Sequence, residues 1–258
     1  MLTQQTLDHL SELRLKDMLT AYQRQQSQTT MFELSFEERF GMLVEYEWTA
    51  RKNRQLKRLL KQAHLRIPNA CMEDIDYSSG RSLDRKLISH LNTLSWIQQH
   101  LNVLITGPSG VGKTYIANAL GNAACRCEYT TRYYRVSRLL EELSISKADG
   151  SHKKLLRNLK KISVLILDDW GLQPFTTIES RELLEVVEDR YQHASTVIVS
   201  QLPVDKWNQV LTDPTLADAI MDRIINSAYM LKINGESMRK LKSRLPKEEL
   251  FMTSDSHT

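Results

Sequence analysis

Apolar and polar residues follow two rhythms along this chain, first that of helices and later that of buried strands. In residues 7–25, Leu7, Leu10, Leu15, Met18, Leu19 and Tyr22 recur three or four positions apart, which predicts a first amphipathic helix. The polar residues 27–30 read as a turn. Ser35-Phe-Glu-Glu38 has the form of a capping box, in which Ser35 accepts from the backbone near Glu38 and the Glu38 side chain reaches back. Phe36, Phe40, Leu43, Val44 and Trp48 then keep a helical period that continues through Leu56, Leu59, Leu60 and Ala63, with Pro68 just past its end. The pattern predicts a long second helix, with a break allowed near Asn53. Ser82 is the expected cap of a further helix carrying Leu83, Leu87, Leu91 and Leu94 on one side, and Trp96 reads as a packing residue.

Past residue 100 the rhythm changes. Short apolar runs at 103–106, 162–168 and 194–200, a stretch rich in β-formers at 129–136 and a last candidate strand at 229–233 alternate with amphipathic stretches. The helices expected between them cover 113–124, a segment capped by Ser137, a basic segment after Asp149-Gly150, 177–192 and 214–226, with a last basic helix from Gly235. Uninterrupted apolar runs are typical of strands buried on both faces. Their alternation with helices predicts an α/β fold, a parallel central sheet flanked by helices. The chain divides accordingly into a small helical N-terminal domain over 1–67, an α/β domain over 68–246 and a polar tail over 247–258.

The most specific stretch joins the first apolar run to the next helix. It is Gly107-Pro108-Ser109-Gly110-Val111-Gly112-Lys113-Thr114, a Gly-x-x-x-x-Gly-Lys-Thr string in a strand–loop–helix context. The glycines let successive backbone N–H groups turn inward on a polyphosphate, and the helix opening near Lys113 adds its positive end. Lys113 has the reach for outer phosphates, and the Thr114 hydroxyl is suited to Mg²⁺.

A second apolar run ends in two carboxylates, Asp168 and Asp169. At a strand's C-terminal end, beside the strand that carries the phosphate loop, Asp168 is placed to hold Mg²⁺ through water and Asp169 to polarise an attacking water. The run 194–200 also ends in polar side chains, Ser200 and Gln201, suited to contact an outer phosphate or the water.

Charge adds a different partner. Residues 51–66 contain Arg51, Lys52, Arg54, Lys57, Arg58, Lys61 and Arg66 and no acid. At about 100° per residue, Arg51, Arg54, Lys57, Arg58 and Lys61 share one side of the helix, opposite Leu56, Leu59, Leu60 and Ala63. One face can pack while the other forms a cationic ridge suited to the phosphate backbone of DNA, without sequence preference and with strong salt dependence. A solvated face or an acidic protein partner are the alternatives. A second basic cluster, His152, Lys153, Lys154, Arg157, Lys160 and Lys161, supports an anionic polymer as partner.

With 258 residues, 41% of them apolar, the chain can build one sizeable core and a small second module. The net charge of +4 permits a nucleic-acid partner without requiring one. Cys71, Cys125 and Cys127 make neither a zinc-type set nor an even disulfide framework, so free, buried thiols in a reducing cytoplasm are expected. The first residues lack a secretory pattern, and no run of about 18 uncharged apolar residues predicts a membrane span.

Taken in order, the phosphate loop, the acid-paired strand, the polar strand end, Asp222-Arg223 and Ser237-Met-Arg239 resemble the AAA+ ATPases of the replication-initiator and helicase-loader clade. Leu167-Asp-Asp-Trp-Gly171, Val199-Ser-Gln-Leu-Pro203 with Trp207, Asp222-Arg-Ile224 and the early Leu13-Arg-Leu15 are similar to IstB-type ATP-binding proteins, helper ATPases of bacterial insertion sequences related to the DnaC helicase loader. The resemblance implies ATP hydrolysis with Mg²⁺. It also implies assembly as a homo-oligomeric ring or helical filament on duplex DNA, and a partner transposase from the same element. It gives Arg223 the role of an arginine finger for a neighbouring subunit's ATP and Arg239 that of a second sensor in its own subunit. Ser200 and Gln201 share the first-sensor position. The chain departs from many AAA+ proteins in carrying Asp-Asp rather than Asp-Glu, which predicts slow hydrolysis. With few residues after Arg239, a full helical lid is not expected. A helicase loader, an ATP-switched DNA scaffold with incidental turnover and a small-molecule kinase are the alternatives, the last disfavoured by the later sensor residues.

Overall fold

The computed structural model describes residues 2–77, 80 and 82–238, in two compact units that divide between Arg58 and Leu59.

The first unit is helical. It holds α1 (Leu2–Glu12), α2 (Lys16–Ser27), a 3-10 turn (Thr29–Glu33) and the larger part of α3 (Phe36–Ala63). The single helix expected over residues 7–25 is in fact two, parted at Arg14, whose φ is +58°. A helix start needs acceptors for its free N–H groups, and Leu15 at the cap position of α2 offers none. The acceptor comes from α3, where one Glu47 oxygen takes the backbone N–H groups of Asp17 and Met18 at 2.9 and 3.0 Å. The Ser35–Glu38 capping box forms as expected, and α3 runs unbroken through Asn53. Phe36, Phe40, Val44 and Trp48, spaced four apart along α3, are exposed, with the two phenylalanine rings stacked.

The second unit is the α/β fold that the apolar runs predict. Its strands are β1 (Asn102–Thr106), β2 (Thr131–Arg135), β3 (Val164–Trp170), β4 (Ser195–Ser200) and β5 (Ala228–Lys232). They form one parallel sheet in the order β2-β3-β4-β1-β5. Its helices are α4 (Arg85–Asn92), α5 (Ser95–Gln98), α6 (Lys113–Arg126), α7 (Val136–Ala148), α8 (His152–Lys161), α9 (Thr177–Arg190) and α10 (Pro214–Ile225), with a 3-10 segment at Val204–Val210. Strands β1 and β4 are buried along their whole length, as strands covered on both faces must be. Leu139, Leu143, Leu165, Leu167, Leu183, Ile198 and Ile220 make one core together with Trp170, Phe175 and Trp207. Trp96 is fully buried, its indole N–H donating to the Leu91 carbonyl, which is the packing role expected for it.

Several local expectations need correction. Asp84, not Ser82, caps α4, because its carboxylate accepts from two backbone N–H groups at the helix start while Ser82 pairs with Asn234. Helix α7 begins at Val136 without a side-chain cap. All three cysteines are free, but only Cys125 is buried, and Cys127 is exposed. Among the described residues, no helix is long and apolar enough to cross a membrane.

One correction bears on the site. The acid strand β3 does not lie beside the phosphate-loop strand β1; β4 sits between them. The two still converge because α6 packs across β1, β4 and β3, and Thr114 in its first turn reaches Asp168 at the end of β3.

Candidate functional site

The C-terminal ends of β1, β3 and β4 open into a cleft of about 370 Å³ lined by Ser109, Gly110, Gly112, Lys113, Thr114, Asp168, Asp169, Ser200 and Gln201. Residues chosen from three separate stretches of sequence thus meet in one place, where an open parallel sheet presents its ligands.

Residues 107–112 form the loop between β1 and α6. Gly107, Gly110 and Gly112 have φ values of +149°, +83° and +98°, a region that side chains disfavour. Val111 points into the core and fixes the loop from below. Lys113 is nearly buried, and its ammonium donates to the carbonyls of Gly107 and Pro108 at 2.7 Å each. The cation is therefore held against its own loop, at the mouth of the cleft.

Asp168 is 1% exposed, and its charge is met by closely set donors. Its Oδ2 accepts from the Thr114 hydroxyl at 2.9 Å and from the Tyr133 hydroxyl at 2.8 Å. Its Oδ1 accepts from the Asp169 backbone N–H at 2.9 Å. Arg66 Nη1 stands 3.9 Å from Oδ2. Burial, with Asp168 beside it, pushes the Tyr133 phenol well above its ordinary range, so Tyr133 is a donor at neutral pH.

Asp169 sits at an irregularity in β3, where the pairing with β4 shifts between Leu167 and Trp170. Its φ is +63°, unusual for a residue with a side chain, and the residue lines both the cleft and a neighbouring cavity shared with Arg135. Arg135 Nε lies 3.5 Å from its Oδ2. Ser200 and Gln201 differ sharply. The Ser200 hydroxyl is buried, donates to the Trp170 carbonyl and accepts from the Leu202 N–H. Gln201 is exposed in the cleft and makes no side-chain hydrogen bond among the described residues.

Other candidates fall elsewhere. Arg223 is at the end of α10, outside the cleft lining, bonded to the Ala219 carbonyl and paired with Glu188 of α9. Arg239 lies outside the described residues. On α3 the expected open ridge is partly neutralised. Arg51 pairs with Glu47, and Arg54 pairs with Asp17 and approaches Glu47. Lys57, Arg58 and Lys61 are exposed and have no ion pair among the described residues.

Three further residues belong to the site: Arg66 and Met238 line the cleft, and Tyr133 stands behind it, bonded to Asp168. Tyr133 lies on the expected second strand, whose inward alternation the sequence does carry. Arg66 was counted with the basic run, but α3 ends at Ala63 and Arg66 lines the cleft instead. Met238 closes another side, its N–H donating to the Gly110 carbonyl.

The chain and its fold are similar to those of known proteins. A family model described as IstB-like ATP binding protein matches residues 8–246. An insertion sequence ATP-binding protein of Sinorhizobium fredii is 43% identical over 95% of this chain and 99% of its own length. A second, from Pseudomonas fluorescens, is 47% identical over 83% of this chain and 93% of its own. Among solved structures, DnaI aligns with a TM-score of 0.56 at 23% identity, covering 69% of this chain and 93% of that one. The DnaC helicase loader aligns at 0.53 and 16%, covering 64% and 97%. DnaA bound to AMPPCP and single-stranded DNA aligns at 0.55 and 19%, covering 72% and 59%. These likenesses show a common AAA+ fold. The phosphate loop, the acid strand and the family match together make this chain a member of the IstB-like ATP-binding proteins of insertion sequences.

Proposed function

We propose that the protein is a Mg²⁺-dependent ATPase that assembles on duplex DNA and assists the transposase of its own element. The observation that carries the enzymatic part is the 2.9 Å contact between Thr114 and Asp168 at the mouth of the phosphate loop. A hydroxyl and a carboxylate so placed are hard oxygen donors of the kind Mg²⁺ takes, together with phosphate oxygens. Among the described residues, no cluster of three His, Cys, Asp or Glu could hold a metal alone, so the nucleotide itself must complete the site. A divalent cation bound there would neutralise charge on the outer phosphates.

Each residue then has a defined task. The loop N–H groups and Lys113 hold the phosphates, with Lys113 exchanging two carbonyls for them. Thr114 and Asp168 hold the cation, Asp168 through water. Asp169 orients and polarises the attacking water. Gln201 takes the first-sensor task, because the Ser200 hydroxyl is already committed to backbone.

Arg223 supports assembly. It is not among the residues that line its own cleft, so as an arginine finger it would serve a neighbour's nucleotide, a head-to-tail contact that generates rings or helical filaments. The exposed apolar stripe Phe36, Phe40, Val44 and Trp48 offers further surface for self-association. Duplex binding draws on Lys57, Arg58 and Lys61 and on the basic face of α8. The insertion-sequence names of the relatives support the transposase as partner.

Two other readings have specific support. The fold shared with DnaC and DnaI favours a helicase loader. The short, Arg135-paired Asp169 favours an ATP-switched scaffold in which turnover is incidental. Sedimentation with long duplex and with single-stranded DNA, each in ATP and in ADP, separates the first two. Large complexes on duplex in ATP alone are the expected result. Assembly confined to single strands would favour the loader.

A further inference from the structure

We propose that Arg66 reads the terminal phosphate of ATP bound in its own chain, leaving Asp168 as it does so. This rests on the ATP-site reading above and adds to it a residue that distinguishes triphosphate from diphosphate.

Asp168 has an excess of donors. Asp168 already accepts three hydrogen bonds of 2.8–2.9 Å, from Tyr133, Thr114 and the Asp169 N–H. Arg66, at 3.9 Å, is beyond hydrogen-bond distance and contributes only a Coulombic attraction. Its side chain is 38% exposed, lines the cleft together with Lys113, Thr114 and Asp168, and interacts with the Tyr133 hydroxyl behind them. A planar fork of donors matches phosphate oxygens in pairs.

The segment that follows Arg66 is tied to α6, the helix that begins at the phosphate loop. Ile67 N–H donates to Asn118 Oδ1 at 3.2 Å, and Asn122 Nδ2 donates to the Pro68 carbonyl at 2.7 Å. The Tyr115 hydroxyl exchanges hydrogen bonds with the Cys71 backbone. These bonds fix the Arg66 backbone against the loop. Preorganised placement of this kind lowers the cost of gripping a ligand.

Arg66 is the cation paired with the buried Asp168 carboxylate among the ion pairs of the described residues. Once a divalent cation and a triphosphate share the cleft, two cations compete for one carboxylate while new negative charge lies opposite. Coulomb attraction then moves the guanidinium to the outermost phosphate. A diphosphate presents no charge there, and Arg66 stays with Asp168. Only three residues, 64–66, separate α3 from the tied segment, and His64 holds a left-handed φ of +48°.

The test is a comparison of the full chain with Arg66→Gln and Arg66→Lys, titrated with fluorescent mant-ATPγS and mant-ADP in Mg²⁺. For Arg66→Gln, triphosphate affinity is expected to fall about tenfold or more, the scale of a lost charge-assisted pair, while ADP affinity changes by less than about twofold. Retained ADP binding also shows that the variant is folded. Arg66→Lys keeps the charge without the fork and is expected to fall between wild type and Arg66→Gln. Equal losses for both nucleotides, or wild-type triphosphate affinity in both variants, would overturn the proposal. A wild-type chain that binds neither nucleotide would instead remove the ATP-site reading beneath it.

Discussion

Tyr133 donates its hydroxyl to Asp168 Oδ2 across 2.8 Å, from the strand next to the acid strand. The bond joins a buried phenol to a buried carboxylate, so Tyr133→Phe leaves that oxygen one donor short. The expected cost is about 1.5–3 kcal/mol, the range for hydrogen bonds to charged groups, read as a lower urea midpoint at unchanged slope. The pH dependence has a definite sign. Burial, and after it the Asp168 charge, raises the folded phenol above its ordinary value of 10.0, so its contribution is complete below pH 10 and is lost as pH rises beyond it. Tyr133→Phe is expected to lessen the alkaline loss of stability, and an unchanged alkaline limb would count against this role.

Glu47 makes the opposite prediction at acid pH. Burial raises its carboxyl, but hydrogen bonds from Arg51 and from the Met18 and Asp17 N–H groups outweigh this and hold it below its ordinary 4.5. Its contribution is present above pH 4.5 and is lost as pH falls below it, through the depressed folded value. The start of α2 is expected to open first. Hydrogen exchange at the Asp17 and Met18 amides, corrected for intrinsic rates, is expected to rise below that pH and to be raised at all pH values in Glu47→Ala.

The cations of α3 divide into two sets with different expected phenotypes. Lys57, Arg58 and Lys61 changed together to Ala are expected to flatten the salt dependence of duplex binding by up to about 2.7 in log–log slope, at unchanged stability. Arg51 and Arg54 changed to Ala are expected to destabilise the helical unit, because they strip a buried carboxylate of its partners. Equal DNA affinity in wild type and the first variant would return that face to plain solvation.

Hydrolysis and assembly are separable by two substitutions. Lys113→Ala is expected to abolish ATP-dependent assembly on DNA, measured by sedimentation. Asp169→Asn is expected to slow hydrolysis by about 10²-fold or more, the typical worth of a general base. Transposition and DNA assembly that survive this loss of turnover would establish the scaffold reading.

What the sequence made legible was contiguous or periodic. The phosphate loop, the Asp168–Asp169 strand end and the buried strands are each written within a few neighbouring residues, so local rules suffice. The missed features are relations between distant residues. Arg66 meets Asp168, and Tyr133 meets it from another strand, without any local mark that the pairing exists. The break at Arg14 depends on a carboxylate in α3, and the basic run has no acid of its own because Asp17, from α2, helps neutralise it. The place of β4 between β1 and β3 is likewise a matter of topology, which spacing along the chain does not encode.

The phosphate loop is confined from outside as well as from within. A Cβ built on Gly107 would lie 2.1 Å from the Ile233 carbonyl oxygen, and one on Gly110 would meet Ser237 at the same distance. The Ile233 amide is itself bonded to Thr106, so that wall cannot withdraw easily. Mutational tolerance at position 107 is therefore set by the closing of the sheet as much as by ATP. In a saturation library sorted for folded protein alone, with no demand for activity, Gly107 should still emerge as intolerant. The loop's first glycine is thus under two selections, and relaxing the catalytic one would not free it to vary.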